Sequence, residues 1–291
     1  KTYGGSGDDR GHSLIQMNDG GYMLLGYSQS EDGLGSNNEG QHDNWVLRVD
    51  AQGIFMWERS FGYGGHDHAY SIIKTADGGA LFNGFLDVTA SNGAGNSVAD
   101  RSGSLHGVGE FWCHKINAEG EVDWRNYYGG TSNDRSYDAT ELANGNFVLV
   151  GTSESIDVDI TDPKGSYDVW VVTIDATGNL LWEKTFGGTS FDAGRSISNT
   201  SDNGFLISGS SRSMDGDLTT NQGQNDVWLL KIDSSGSLLW QKSLGGSNID
   251  FAYDALELQD HSFIVIGESS SADKDIQENK GFTDLLIIKI K

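Results

Sequence analysis

Residues Ala69-Tyr70-Ser71-Ile72-Ile73-Lys74-Thr75 alternate small or apolar side chains with polar ones, the period of a β-strand with one buried face. Asp77-Gly78-Gly79 follows, a turn sequence suited to a hairpin because it accepts positive φ. A second hydrophobic stretch runs to Gly84, a polar loop leads to a third strand over Trp112–Asn117, and a turn at Gly120 leads to a fourth strand holding Trp124. The same succession fills the chain. Turns recur at Asp19-Gly20-Gly21, Asn144-Gly145, Asp202-Asn203-Gly204 and Asp260-His261-Ser262, and second strands end at Gly26, Gly151, Gly209 and Gly267. Third strands are predicted over Trp45–Asp50, Trp170–Asp175, Trp228–Asp233 and Leu286–Lys291. Fourth strands carry Trp57, Trp182 and Trp240 after turns at Gly53, Gly178 and Gly236.

The pattern is a repeat. Leu180–Asp192 has a near twin in Leu238–Asp250, looser copies in Phe55–Asp67 and Val122–Asp134, and a partial copy at Lys1–Asp9. Aligned on Asp9, Asp67, Asp134, Asp192 and Asp250, the units are spaced by 58, 67, 58 and 58 residues. Four antiparallel strands in about 60 residues make a propeller blade, because one such sheet cannot bury both faces until neighbours stack on it. The expected fold is therefore all-β, a five-bladed β-propeller in a single domain, residues 1–291. Its blades fall at approximately 4–61, 62–128, 129–186, 187–244 and 245–291 plus 1–3. Lys1 aligns with Lys242 and Lys291 with Asp233, so Lys1–Tyr3 is expected to pair with Leu286–Lys291, closing the ring and removing its open edges. The alternative, a linear solenoid, needs capping repeats, and none is visible.

Three motifs carry a resemblance: Trp240-Gln241-Lys242-Ser243-Leu244-Gly245-Gly246, Asp77-Gly78-Gly79 and Asp226-Val227-Trp228. Across essentially the whole chain the units resemble the β-propeller repeats of secreted and surface proteins of bacteria, especially Bacteroidetes. The resemblance implies a home outside the cell or on the outer-membrane surface. It also implies a non-enzymatic binding or scaffold module for a protein partner or an extracellular glycan. A glycan-active enzyme with carboxylates at the propeller channel is the alternative.

Charge narrows the partners. Lys and Arg number 19 against 42 Asp and Glu, a formal charge of −23, which argues against nucleic acid and anionic membranes and favours cations or basic surfaces. Glycine at 41 residues with a single proline and 10% aromatics fits many short strands and tight turns. The one cysteine, Cys113, excludes an internal disulfide, and no apolar run is long enough to span a bilayer.

Candidate chemistry lies in two places. The repeated Asp after each glycine pair either caps its own turn through backbone N–H groups or forms part of a ring of cation ligands. The loops between strands two and three are serine-rich and carry Asp at i and i+2: Asp157 and Asp159, Asp215 and Asp217, Asp273 and Asp275. Such pairs supply hard oxygen ligands, so calcium is the expected ion, although no loop completes the full Asp-x-Asp-x-Asp-Gly signature. Each loop ends at an acid beside the third strand: Asp43, Glu110, Asp168, Asp226 or Asp284. The second repeat's loop, Asp87 to Gly109, is longer and holds Asp100, Arg101 and His106. Asp138 and Asp254 replace a serine of the other repeats and are the acids an enzymatic reading would use. His66 and His68 flank Asp67, but adjacent strand positions point to opposite faces, which excludes a His–Asp pair. The histidines show no zinc-protease spacing, Cys113 reads as a packed thiol, and the glycine pairs lack the helix a phosphate cradle needs.

Overall fold

The computed structural model describes residues 1–35, 37–97 and 106–291. Among them there is no helix, and none long and apolar enough to cross a membrane. Five antiparallel sheets follow the five repeats, each with its strands adjacent in chain order. The first comprises β1 (Asp9–Gln16), β2 (Tyr22–Ser28), β3 (Asp43–Val49) and β4 (Phe55–Phe61). The second comprises β5 (His68–Lys74), β6 (Ala80–Leu86), β7 (Glu110–Ile116) and β8 (Val122–Tyr128). The third is β9 (Asp134–Glu141), β10 (Phe147–Ser153), β11 (Asp168–Ile174) and β12 (Leu180–Phe186), and the fourth β13 (Asp192–Asn199), β14 (Phe205–Ser211), β15 (Asp226–Ile232) and β16 (Leu238–Leu244). The fifth has three strands, β17 (Asp250–Glu257), β18 (Phe263–Ser269) and β19 (Asp284–Ile290).

The chain forms two compact units. One is Lys1–Val148 with Ser155–Asp159 and Ile174–Leu181; the other is Leu149–Glu154 with Ile160–Thr173 and Trp182–Lys291. The first is centred on Met17, Met23, Leu25, Val46, Phe61, Ile72, Phe82 and Ile116. The second has a core of Leu206, Val227, Leu229, Ala252, Ala255 and Val265.

Three repeated features of the sequence acquire physical reasons. The glycine near the end of the second strand, Gly26, Gly84, Gly209 or Gly267, sits opposite a bulge in the first. A Cβ at Gly209 would lie 1.8 Å from the Ala193 carbonyl oxygen, and one at Gly267 1.8 Å from that of Phe251, so no side chain fits. The third-strand tryptophans Trp45, Trp112, Trp170 and Trp228 are buried and each finds an acceptor for its indole N–H. Trp170 donates to Glu183 at 2.8 Å, Trp228 to the Gln241 side chain at 3.1 Å and Trp112 to the Gly95 carbonyl at 2.8 Å. The fourth-strand tryptophans lie against the glycine turn of the following repeat: Trp57 at Gly120, Trp124 at Gly178 and Trp182 at Gly236, each glycine at φ between 79° and 83°.

Two expectations change. The third strands begin two residues earlier than expected, at the acids Asp43, Glu110, Asp168, Asp226 and Asp284 rather than at Trp45, Trp112, Trp170, Trp228 and Leu286. The strand expected from Lys1–Tyr3 does not form: residues 1–5 are outside any strand and the fifth sheet stops at β19. The Tyr3 hydroxyl instead donates to the Gly53 carbonyl at 2.6 Å, Lys1 Nζ reaches the same oxygen at 2.7 Å, and the Tyr3 ring packs with Trp45, Leu47 and Val49. Those local contacts satisfy the segment without a strand partner. β19 keeps Leu285 and Ile287 exposed.

Candidate functional site

The repeated aspartates are clamps for their own turns. Asp9 accepts the Gly5 N–H at 2.8 Å, Asp134 that of Gly130 at 2.8 Å, Asp192 that of Gly188 at 2.8 Å and Asp250 that of Gly246 at 2.7 Å. Asp67 accepts from Tyr63 at 2.7 Å. The serines that open the following loop complete the clamp: Ser30 on Asp9, Ser155 on Asp134, Ser213 on Asp192 and Ser271 on Asp250. The turn-capping reading of these residues is the one the geometry bears out.

The loop acids expected to bind calcium are drawn to the same turns. Asp157 accepts the Thr131 N–H at 2.9 Å, Asp215 that of Thr189 at 2.8 Å and Asp273 that of Ser247 at 2.8 Å. Their partners two residues on hold the preceding glycine: Asp159 accepts Gly129 N–H at 3.1 Å, Asp217 Gly187 at 3.0 Å and Asp275 Gly245 at 3.3 Å. Any calcium at these loops has to share the carboxylates with those N–H groups.

Four of the acids that open the third strands are buried too. Asp43, Glu110, Asp168 and Asp226 each accept a backbone N–H from their loop, from Glu39, Gly107, Lys164 and Gln222. Oδ1 of Asp168 and Oδ1 of Asp226 are buried without a hydrogen-bond partner among the described residues. Each flanks a glycine turn opposite a second acid: a Cβ at Gly187 would lie 2.5 Å from Asp168 Oδ1 and 2.7 Å from Asp192 Oδ2, and one at Gly245 2.7 Å from both Asp226 Oδ1 and Asp250 Oδ2. Burial pushes Asp168 up to about 6, and it raises Asp192 and Asp226 as well.

One junction departs from this frame. In the first four repeats the residue before the third-strand acid bridges, parallel, to the residue before the next repeat's first-strand Asp. These pairs are Gly109 with Asn133, Tyr167 with Phe191 and Asn225 with Ile249; between the first two repeats they are His42 with His66. The bridge is pinned by Asp67 N–H on the His42 carbonyl at 2.8 Å and Gln41 N–H on that of Gly65 at 3.1 Å. Asp43 and Asp67 are buried, so alternation turns His42, His66 and His68 the other way. The Nδ1 atoms of His42 and His66 are 2.6 Å apart, and all three histidines present a nitrogen within 4.8 Å of one another. Tyr27 backs them, with ring centroids 4.7 Å from His42 and 4.6 Å from His68. Beyond lie Phe85, stacked on His68 at 5.3 Å, and Tyr70, 6.2 Å from Phe85 and 5.0 Å from Tyr137. Arg135 covers Phe85 at 4.9 Å and Arg10 approaches Tyr27 at 5.7 Å.

Burial lowers His42, with His66 beside it as the next cause, and takes His68 down to about 4, with His42 and His66 again adding to it. Both shifts favour the neutral imidazole. On the other side of the strand, burial pushes Asp67 up to about 7 and Asp43 up to about 6. Asp67 lacks the serine clamp because its loop offers Leu86 and Val88 where other repeats have serine.

This group was within reach of the sequence. Histidine occupies the position before the acid in two adjoining repeats, and His68 repeats it two residues on. The parallel bridge that brings His42 to His66 had no signature in a single repeat.

The remaining candidates are dispersed. Asp138 accepts a hydrogen bond from Ser71 at 2.8 Å, and Asp254 is exposed on β17. Asp100 and Arg101 lie outside the described residues. His106 is buried with Nδ1 3.0 Å from Glu110, and Cys113 is fully buried, its thiol pushed well above its ordinary pKa by that burial.

No protein-family model matches the chain, and no curated protein does. Among solved structures, a protein of unknown function from Bacteroides caccae is similar with TM-score 0.49 at 11% identity, over 90% of this chain and 72% of its own. The WD40 domain of Neurospora crassa Pan2 gives TM-score 0.48 at 10% identity, over 97% of this chain and 63% of its own. A mutant of the Synechocystis apocarotenoid oxygenase gives 0.42 at 15%, over 93% of this chain and 58% of its own. At TM-scores below 0.5 these likenesses carry no argument about this chain.

Proposed function

We propose that the chain is a five-bladed β-propeller, working on the outside of a bacterial cell as a binding module rather than as an enzyme. Its contact surface is the ring-rich patch around His68, Tyr70 and Tyr137, packed on buried Phe85. The observation that carries the reading is the use of the acids. The five repeated aspartates are committed to holding their own turns, so departures from the repeat are where recognition can be written. The departure at the first junction gathers aromatic faces beside Arg10 and Arg135 in a chain of net charge −23. Aromatic faces stack on sugar rings, and the Arg135 guanidinium favours an anionic substituent next to them, Arg10 being already paired with Asp8 at 2.9 Å. The partner of choice is therefore an extracellular glycan bearing acidic groups.

The test is binding of the purified chain to matched neutral and acidic oligosaccharides, followed by the double variant Tyr70→Ala, Tyr137→Ala. Binding to the acidic series that this variant loses while still unfolding cooperatively is the expected result. No binding to either series, or binding indifferent to the two tyrosines, overturns the glycan assignment.

A further inference from the structure

We propose that His42, His66 and His68 form a binding site for a divalent transition-metal ion of the imidazole-preferring class, zinc first among them. The inference goes beyond the glycan reading and stands whether or not a glycan binds.

The ligand chemistry is specific. Three imidazole nitrogens suit zinc, copper or nickel, whereas calcium and magnesium take oxygen donors. The acids nearest in sequence, Asp43 and Asp67, are buried on the opposite side and hold backbone N–H groups, so the donor set is nitrogen. Two ligands are fixed at the backbone by the His42–His66 bridge, and the third follows on the same strand face at i+2. A metal therefore orders few new degrees of freedom.

The distances are close to those required. Zinc–nitrogen bonds of about 2.0–2.1 Å place two nitrogens of a tetrahedral site roughly 3.3 Å apart. The His42–His66 pair stands at 2.6 Å and the whole set within 4.8 Å, so ring rotations of under about 2 Å bring the three to bonding distance. At 2.6 Å one neutral imidazole donates its Nδ1–H to the Nδ1 of the other, and a metal held by both displaces that proton. Tyr27 packs on His42 and His68 and limits their rotamers. Three protein ligands leave a coordination position open, and exposed His66 lies on the side from which water or an anionic group enters.

The decisive measurement is a zinc titration of chelator-stripped protein by calorimetry, with cobalt(II) absorption as a second readout of coordination. The expected result is one equivalent per chain and a cobalt spectrum of four-coordinate intensity. Each of His42→Gln, His66→Gln and His68→Gln should weaken zinc by roughly tenfold or more. His261→Gln, which removes a surface His–Glu pair, should leave it unchanged. His66 is exposed, so His66→Gln is the variant least able to disturb folding, and its cooperative melt certifies that the loss is local. No zinc complex, a complex that survives both His66→Gln and His68→Gln, or one abolished by His261→Gln overturns the site. Glycan binding that fails while zinc binds leaves this site standing and removes only the glycan reading.

Discussion

The indole of Trp124 lies across the turn at Gly178, its Nε1–H donating to the Ala176 carbonyl at 2.9 Å. A Cβ on Gly178 would stand 2.8 Å from the ring, and the glycine is at φ 83°, so both partners are constrained at once. Trp124→Ala should cost about 3–5 kcal/mol, the range for emptying a buried tryptophan site. That corresponds to roughly 2–4 °C per kcal/mol in a domain of this size. Gly178→Ala should also destabilise. Thermal unfolding of the two single variants and the double checks the coupling: the double should cost less than the sum, since each disrupts the same contact.

The close approach of Gly209 to the Ala193 carbonyl predicts a second stability loss with a built-in control. Gly209→Ala should cost about 1–3 kcal/mol or more, because the added methyl meets backbone rather than a movable side chain. Gly281→Ala has open space around it and should be near neutral. Equal denaturation midpoints for the two variants would contradict the bulge geometry.

Asp168 gives a pH dependence. Its folded pKa, pushed to about 6 by burial, exceeds the ordinary 3.8, so the folded state binds the proton more tightly than the unfolded chain. Its penalty is absent below pH 4, grows between pH 4 and 6, and is complete above 6. Asp168→Asn should therefore gain stability relative to wild type as pH rises through that window, by about 1–2 kcal/mol after allowance for screening. Chemical denaturation at pH 4 and pH 7.5 reads the difference directly; a pH-independent gap between the two proteins would rule it out.

The loop acids offer a test of calcium. Asp215 holds Thr189 through its backbone N–H and its hydroxyl, at 2.8 and 2.9 Å. Asp215→Ala should lower the melting temperature even in chelator, through loss of that clamp. If calcium also binds here, millimolar calcium raises the wild-type melting temperature and the double variant Asp215→Asn, Asp217→Asn blunts the rise. Superimposed scans with and without calcium would reduce these loops to hydrogen-bonded turns.

The sequence by itself determined the all-β repeat, because the same alternation recurs in every repeat and the same pair of tryptophans in the first four, and a local signal repeated that often is hard to misread. It offered capping of the glycine turns as one of two readings of Asp192 and its counterparts, and the hydrogen bonds over four residues bear out that one. It did not determine what Lys1–Tyr3 does, because Tyr3 finds Gly53, fifty residues away, as readily as a strand partner. Nor did it show that Asp157, Asp215 and Asp273 are spent on the preceding turns, or that Asp168 is left with an unpartnered buried oxygen. The three clamps join residues 26 apart in the chain, brought together only by the folded sheet. The histidine group is the clearest case. His42 and His66 are separated by two strands in sequence, and only the parallel bridge between neighbouring sheets, a contact with no local signature, puts their nitrogens face to face.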